Sequence, residues 1–99
     1  MIEAFENWFL SIASSLRARG HAIEWQQTGQ QTNKPSAYAQ VETLSQLARV
    51  TVWSSGECDL EALDIKTGAQ LVNAHHVFTD AARLRSELDA FVQQLEGTR

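Results

Sequence analysis

The sequence predicts an α+β domain in which an antiparallel meander sheet of about five strands is preceded by one helix and followed by another. Three observations lead there. Apolar residues recur at helical spacing in the opening and closing segments, alternate with polar residues between them, and are interrupted at short intervals by turn-forming residues. At 99 residues the chain is expected to be one domain, 1–99, because a single core rarely subdivides below roughly 100 residues.

The first helix is carried by Ile2, Phe5, Phe9, Ile12 and Leu16 on one side and Glu3, Glu6, Ser11, Ser15 and Arg19 on the other, with Gly20 as its stop. Glu3 and Glu6 near its start and Arg17 and Arg19 near its end complement the helix dipole. After Gly20 the period falls to two, with Ile23 and Trp25 alternating with Glu24 and Gln26, which predicts a strand over residues 21–28. The polar stretch from Gln30 to Ser36 holds the only proline and no periodicity, so it is expected to be a mobile loop.

Alternation resumes over residues 37–44, where Ala37, Ala39, Val41 and Thr43 oppose Tyr38, Gln40, Glu42 and Leu44. It continues over 47–53, where Ala48, Val50 and Val52 oppose Arg49 and Thr51. Ser54-Ser-Gly56 and Lys66-Thr-Gly68 are tight connections to strands over 57–65 and 69–78, and short connections imply antiparallel neighbours. A second helix begins at Thr79 or Asp80 as N-cap, runs along Leu84, Leu88, Phe91 and Leu95, and ends at Gly97. A meander has one face to cover, so both helices are expected on the same side, leaving the opposite face for solvent or a partner.

The charge of −4 and pI near 5.2 argue against nucleic acid, which needs clustered Lys and Arg for counterion release. A basic protein surface is the better match. The single cysteine, Cys58, excludes an intramolecular disulfide, no secretory leader pattern opens the chain, and no run of about 18 apolar residues spans a membrane. Together these place the protein in a reducing cytoplasm. A domain this small buries about two-thirds of its unfolded surface, so association adds usefully to its stability and a homodimer is left open.

Glu57, Asp59 and Glu61 recur at spacing two and project from one strand face, with Asp64 at the strand's end on the other register. No Lys or Arg separates them, which concentrates negative potential and invites a cationic partner. The bland alternative is a solvated strand whose charges keep an edge from aggregating, and the two are compatible. Neighbouring carboxylates on a flat strand enclose no pocket, so general acid–base chemistry and metal binding are disfavoured. For Trp8, Trp25 and Trp53, with Tyr38, core packing is the first explanation; Trp53 alternates with Thr51 and Arg49 on a polar face and is the best candidate for an exposed anchor.

His75 and His76 are adjacent, hence on opposite faces of a strand, and do not share one metal. Cys58 shares a face with Leu60 and Ala62, the setting of a buried inert thiol. There is no phosphate-binding glycine loop, nucleophile elbow or His-Glu-x-x-His. No catalytic, metal or cofactor-binding residues are therefore expected, and no small-molecule substrate.

The run Thr51-Val-Trp-Ser-Ser-Gly-Glu-Cys-Asp-Leu-Glu-Ala-Leu-Asp-Ile-Lys-Thr-Gly68, then His75-His76 and the closing amphipathic helix, resembles the TriTu family of bacterial immunity proteins. The likeness is strongest from Arg49 to Leu95. It implies an antitoxin for an ADP-ribosyltransferase effector of type VI interbacterial competition, whose victim is the elongation factor that delivers aminoacyl-tRNA. The partner would be the cognate toxin domain, bound so that its active site is blocked. An acidic domain suits a site built to hold anionic NAD. On this expectation Trp53 supplies apolar burial while Glu57, Asp59, Glu61 and Asp64 meet basic toxin residues. The competing function is a small acidic secretion chaperone or adaptor, which holds a non-folded effector segment rather than a folded toxin domain. A third, a catalytic or small-molecule-binding domain using His75, His76 and Cys58, ranks last.

Overall fold

The computed structural model describes residues 1–29 and 34–97, and its elements follow the expected order. Helix α1 (Ile2–Ala18) is followed by β1 (Ala22–Thr28), β2 (Ser36–Glu42), β3 (Gln46–Trp53), β4 (Glu57–Asp64) and β5 (Gln70–Val77), and helix α2 (Ala81–Gly97) closes the chain. The five strands form one antiparallel sheet in the order β1-β2-β3-β4-β5. This is the α+β meander read from the sequence.

Each helix end has a local cause. At the end of α1, Gly20 adopts φ 88°, its N–H reaches the Arg17 carbonyl and the His21 N–H reaches that of Leu16, a paired closure that favours glycine at this position. For α2 the N-cap is Asp80 rather than Thr79: its Oδ1 accepts the Ala82 N–H at 2.7 Å, and its carbonyl accepts that of Leu84.

Strand register fixes which residues share a face. Ile23, Val41, Ala48, Ala62 and Val72 lie in one row across the sheet, and Trp25, Ala39, Val50, Leu60 and Ala74 in the next. Both rows face the helices. Between these layers lie Phe5, Leu16, Leu84 and Leu88, all at 0% exposure, and the core is continuous from α1 through the sheet to α2. Truncating any one of them to alanine costs about 2–5 kcal/mol. Trp25 is half-buried and packs 4.8 Å from the Phe5 ring and 5.2 Å from that of Phe9, so its role is core packing, as is that of Trp8.

Five strands, an odd number, send the chain into α2 in the direction in which α1 ran. Trp8 accordingly meets Asp89 and Arg19 meets Glu96, early with early and late with late. Among the described residues no buried side-chain nitrogen or oxygen lacks a hydrogen-bond partner.

Several strand ends differ from expectation by one residue and the end of β2 by two. β2 ends at Glu42, because the Thr43 Oγ1 accepts the N–H groups of Ser45 and Gln46 and the Thr43 N–H bonds the Gln46 carbonyl. Thr43 and Leu44 therefore form the hairpin turn instead of extending the strand, and Leu44 stands fully exposed at its tip. Of the loop expected over Gln30 to Ser36, residues 30–33 lie outside the described residues, and Ser36 already belongs to β2.

Candidate functional site

The face of the sheet away from the helices carries the polar half of every alternating strand. Its central rows are Gln26, Tyr38, Thr51, Asp59 and His75, and beside them Glu24, Gln40, Arg49, Glu61 and Asn73. Tight closure at Gly56 (φ 94°) turns β3 directly into β4 and sets Trp53 beside the Glu57 row.

Trp53, Glu57 and Asp59 are brought together. Trp53 is half-buried at the end of β3, with the Lys34 ammonium 5.6 Å from its ring centroid. The same ammonium ion-pairs with Glu57, and the Ser55 hydroxyl donates to Glu57 Oε2 at 2.9 Å. These bonds, that to Lys34 first, hold the Glu57 carboxyl below its ordinary pKa despite some desolvation. His75 bridges the next step: its Nδ1 bonds the Asp59 carboxylate, and its Nε2 lies 3.9 Å from Glu57 Oε1. Glu57 and Asp59 are thus compensated by Lys34, from the segment before β2, and by His75 on β5, and not by cations within their own strand.

Glu61 lies on the same face, exposed, opposite Arg49 on β3 and Asn73 on β5. Arg49 is turned the other way, with its guanidinium 4.2 Å above the Tyr38 ring and Nη2 donating to Gln40 Oε1 at 2.8 Å. Asp64 stands apart from the other three acids. Its Oδ1 accepts the N–H groups of Lys66 and Thr67, both at 2.9 Å, and so holds the β4–β5 turn. Apolar groups frame the acidic centre, with Leu63 (39% exposed) and Leu71 (47%) at one end and Val77 (64%) at the other.

Among the described residues the face is a display of charge around a partly covered aromatic ring. His75 and His76 do lie on opposite faces, and His76 turns inward to stack on Phe78 with ring centroids 5.5 Å apart. It is the cross-strand neighbour of Cys58. Burial pushes the Cys58 thiol up to about 12, so this pair holds a protonated thiol and not a thiolate nucleophile. Among the described residues no group of three or more His, Cys, Asp or Glu side chains is placed to hold a metal ion, and no helix is long and apolar enough to cross a membrane.

A second concavity, of about 840 Å³, opens between the C-terminal halves of the helices and the β2–β3 hairpin. Ile12, Leu44, Val92 and Leu95 supply its apolar wall, and Arg19 and Glu96 its charged end. There the Arg19 guanidinium bonds both Glu96 oxygens, and His21 Nε2 lies 2.9 Å from Oε2. Sequence reasoning did not find this cleft, because its walls come from three elements whose packing no local pattern encodes.

Comparison with known proteins gives a family match over nearly the whole chain: residues 3–94 fit the family model described as Immunity protein TriTu. The match takes in the first helix and β1 as well as the region from Arg49 onward. A search of curated proteins returned no match.

Proposed function

The chain belongs to the TriTu family of immunity proteins, and from that premise we propose that it neutralises an ADP-ribosyltransferase toxin by laying the open face of its sheet over the toxin's active site. Membership gives it a protein partner, a toxin. The observation that carries the choice of surface is the network of Lys34, Glu57, Asp59 and His75 beside Trp53, on the one sheet face that no helix covers.

The physical argument is complementarity. An enzyme that holds the anionic phosphates of NAD needs a cationic cleft, and an acidic face steers toward such a cleft and competes with the dinucleotide. Trp53 supplies a ring at the centre of the contact, Glu57, Asp59 and Glu61 its anionic partners, and Asp64 acts through the turn that it holds. Lys34 and His75 keep the carboxylates oriented until toxin side chains take their place. Binding in this way requires no cofactor, and the inhibitor acts in the cytoplasm, where the toxin's target resides.

The test is co-purification with the protein encoded beside this chain's gene, followed by transfer of ADP-ribose from NAD by that partner with and without the complex. A tight complex with suppressed transfer is the expected result. A complex that leaves transfer intact, or binding to a non-folded segment of the effector, would transfer the assignment to a secretion chaperone or adaptor.

A further inference from the structure

The two borders of the sheet are not equivalent. β1 carries the charged Glu24 at one border, and the Gln26 side-chain amide covers the Gln27 carbonyl at 3.1 Å. β5, at the other border, contains no Lys, Arg, Asp, Glu or Pro from Gln70 to Val77, the devices that ordinarily keep an edge strand from pairing. A register shift opposite Ala62 and Leu63 disturbs the strand only at its start, so the run from Asn73 to Val77 is regular.

Hydrogen-bond direction along β5 follows from one fixed point. The Phe78 N–H donates to the Gly56 carbonyl at 2.8 Å, so the peptide groups of His76 and Ala74 also face β4, and those of Asn73, His75 and Val77 face outward. Among the described residues no strand lies beyond β5 in the sheet. The outward peptide groups form a pairing edge.

Two large apolar side chains of β5 stand exposed, Leu71 at 47% and Val77 at 64%. They lie three residues to either side of Ala74. Antiparallel pairing of this strand with itself, centred on Ala74, places Leu71 of each copy opposite Val77 of the other and Asn73 opposite His75. Centring one residue earlier or later places Val77 opposite Ala69 or Asn73 and loses the apolar match. The self-complementarity is therefore specific to one register, and of the residues that oppose each other there Asn73, His75 and Val77 have peptide groups that point outward.

We propose that β5 is a dimerisation edge, at which two copies of this chain join antiparallel about Ala74 into one continuous sheet. The two-fold axis of such a pair stands perpendicular to the sheet, so both helix layers lie on one side and both open faces on the other. A dimer of this form presents its two acidic faces side by side. The proposal does not depend on what those faces bind.

Sedimentation equilibrium of the purified chain, from micromolar to near-millimolar concentration, tests it. Wild-type protein is expected to dimerise reversibly. Leu71→Lys combined with Val77→Lys puts like charges opposite each other twice and is expected to weaken dimerisation more than tenfold. Leu71→Lys combined with Val77→Glu puts opposite charges there and is expected to restore it. Should the double-lysine chain lose its circular dichroism signature, Asn73→Pro serves instead, since it removes an outward N–H that the single chain does not use. A wild type that stays monomeric throughout, as when the edge is reserved for a strand of the toxin, would overturn the proposal. So would a dimer indifferent to the paired lysines, or one that the opposite-charge pair fails to restore.

Discussion

The Trp8 indole N–H donates to Asp89 Oδ1 at 2.8 Å across 81 positions of sequence. It ties the first half of α1 to α2, as the Arg19–Glu96 ion pair does at the other end of the helix. Trp8 is 3% exposed, so removing the acceptor leaves a nearly buried N–H without a protein partner. Asp89→Ala is expected to cost about 1 kcal/mol, whereas Asp89→Asn, which keeps an acceptor oxygen, costs less. Urea unfolding followed by tryptophan fluorescence measures the order of the two.

Gly56 and Gly20 offer a controlled comparison of backbone strain. Both have positive φ, 94° and 88°. A Cβ at Gly20 meets open space, whereas one at Gly56 overlaps the Phe78 carbonyl where the β3–β4 turn passes the end of β5. Gly20→Ala therefore bears only the left-handed backbone penalty of about 1–2 kcal/mol. Gly56→Ala bears the same penalty plus displacement of the Phe78 peptide and its bond to Gly56, and is expected to have the clearly lower melting temperature by calorimetry.

The faces of the strands were legible because side-chain alternation is a local property: Ala37, Ala39 and Val41 point inward whatever they pair with. Part of the site was countable too. The tight turn at Ser54 to Gly56 sets Thr51 opposite Asp59 and Arg49 opposite Glu61, and with the next turn it places Asp59 near His75. What the strands did not encode was Lys34, which reaches Glu57 from beyond the far side of β3. That pairing depends on register across two strands and on a side chain outside any periodic pattern. Thr43 and Leu44 misled in the opposite sense, since they fit the alternation of β2 although the Thr43 hydroxyl closes a turn there.

The Glu96 carboxyl is held below its ordinary value of 4.5, first by the Arg19 hydrogen bond and, with smaller weight, by His21, against a desolvation penalty that raises it. A folded-state pKa below the unfolded one contributes stability that is present above the unfolded value and lost as pH falls through the folded one. The wild type is thus expected to lose stability as pH is lowered below about 4.5 through this group, and Glu96→Gln to show a shallower acid limb. Partial exposure of the pair keeps the effect modest. Denaturant midpoints at a series of acid pH values resolve it.

Cys58 is fully buried in the core, and its thiol is pushed up to about 12 by desolvation, with Asp59 and Glu87 adding to the rise. At pH 8 it is therefore protonated as well as inaccessible. A thiol reagent such as a disulfide-exchange chromophore is expected to titrate no cysteine in the folded protein and one in denaturant. Rapid labelling under native conditions would mean that the sheet opens beneath α2 on the timescale of the reaction.

The open face makes the sharpest demand on binding. Glu57→Lys combined with Asp59→Lys reverses two charges at the centre of the network and removes the carboxylate partners of Lys34 and His75. Toxin affinity is expected to fall more than tenfold, which is about 1.4 kcal/mol or more. Trp53→Ala is expected to weaken it through lost burial, with little change in salt dependence. The charge reversals, by contrast, should flatten the decline of association rate with ionic strength, because steering is the screened component. Glu3→Lys, an exposed position in the first turn of α1, is the control for net charge. If it weakens binding as much as either reversal on β4, the contact runs through bulk charge or the helical side, and the sheet face is not where the toxin sits.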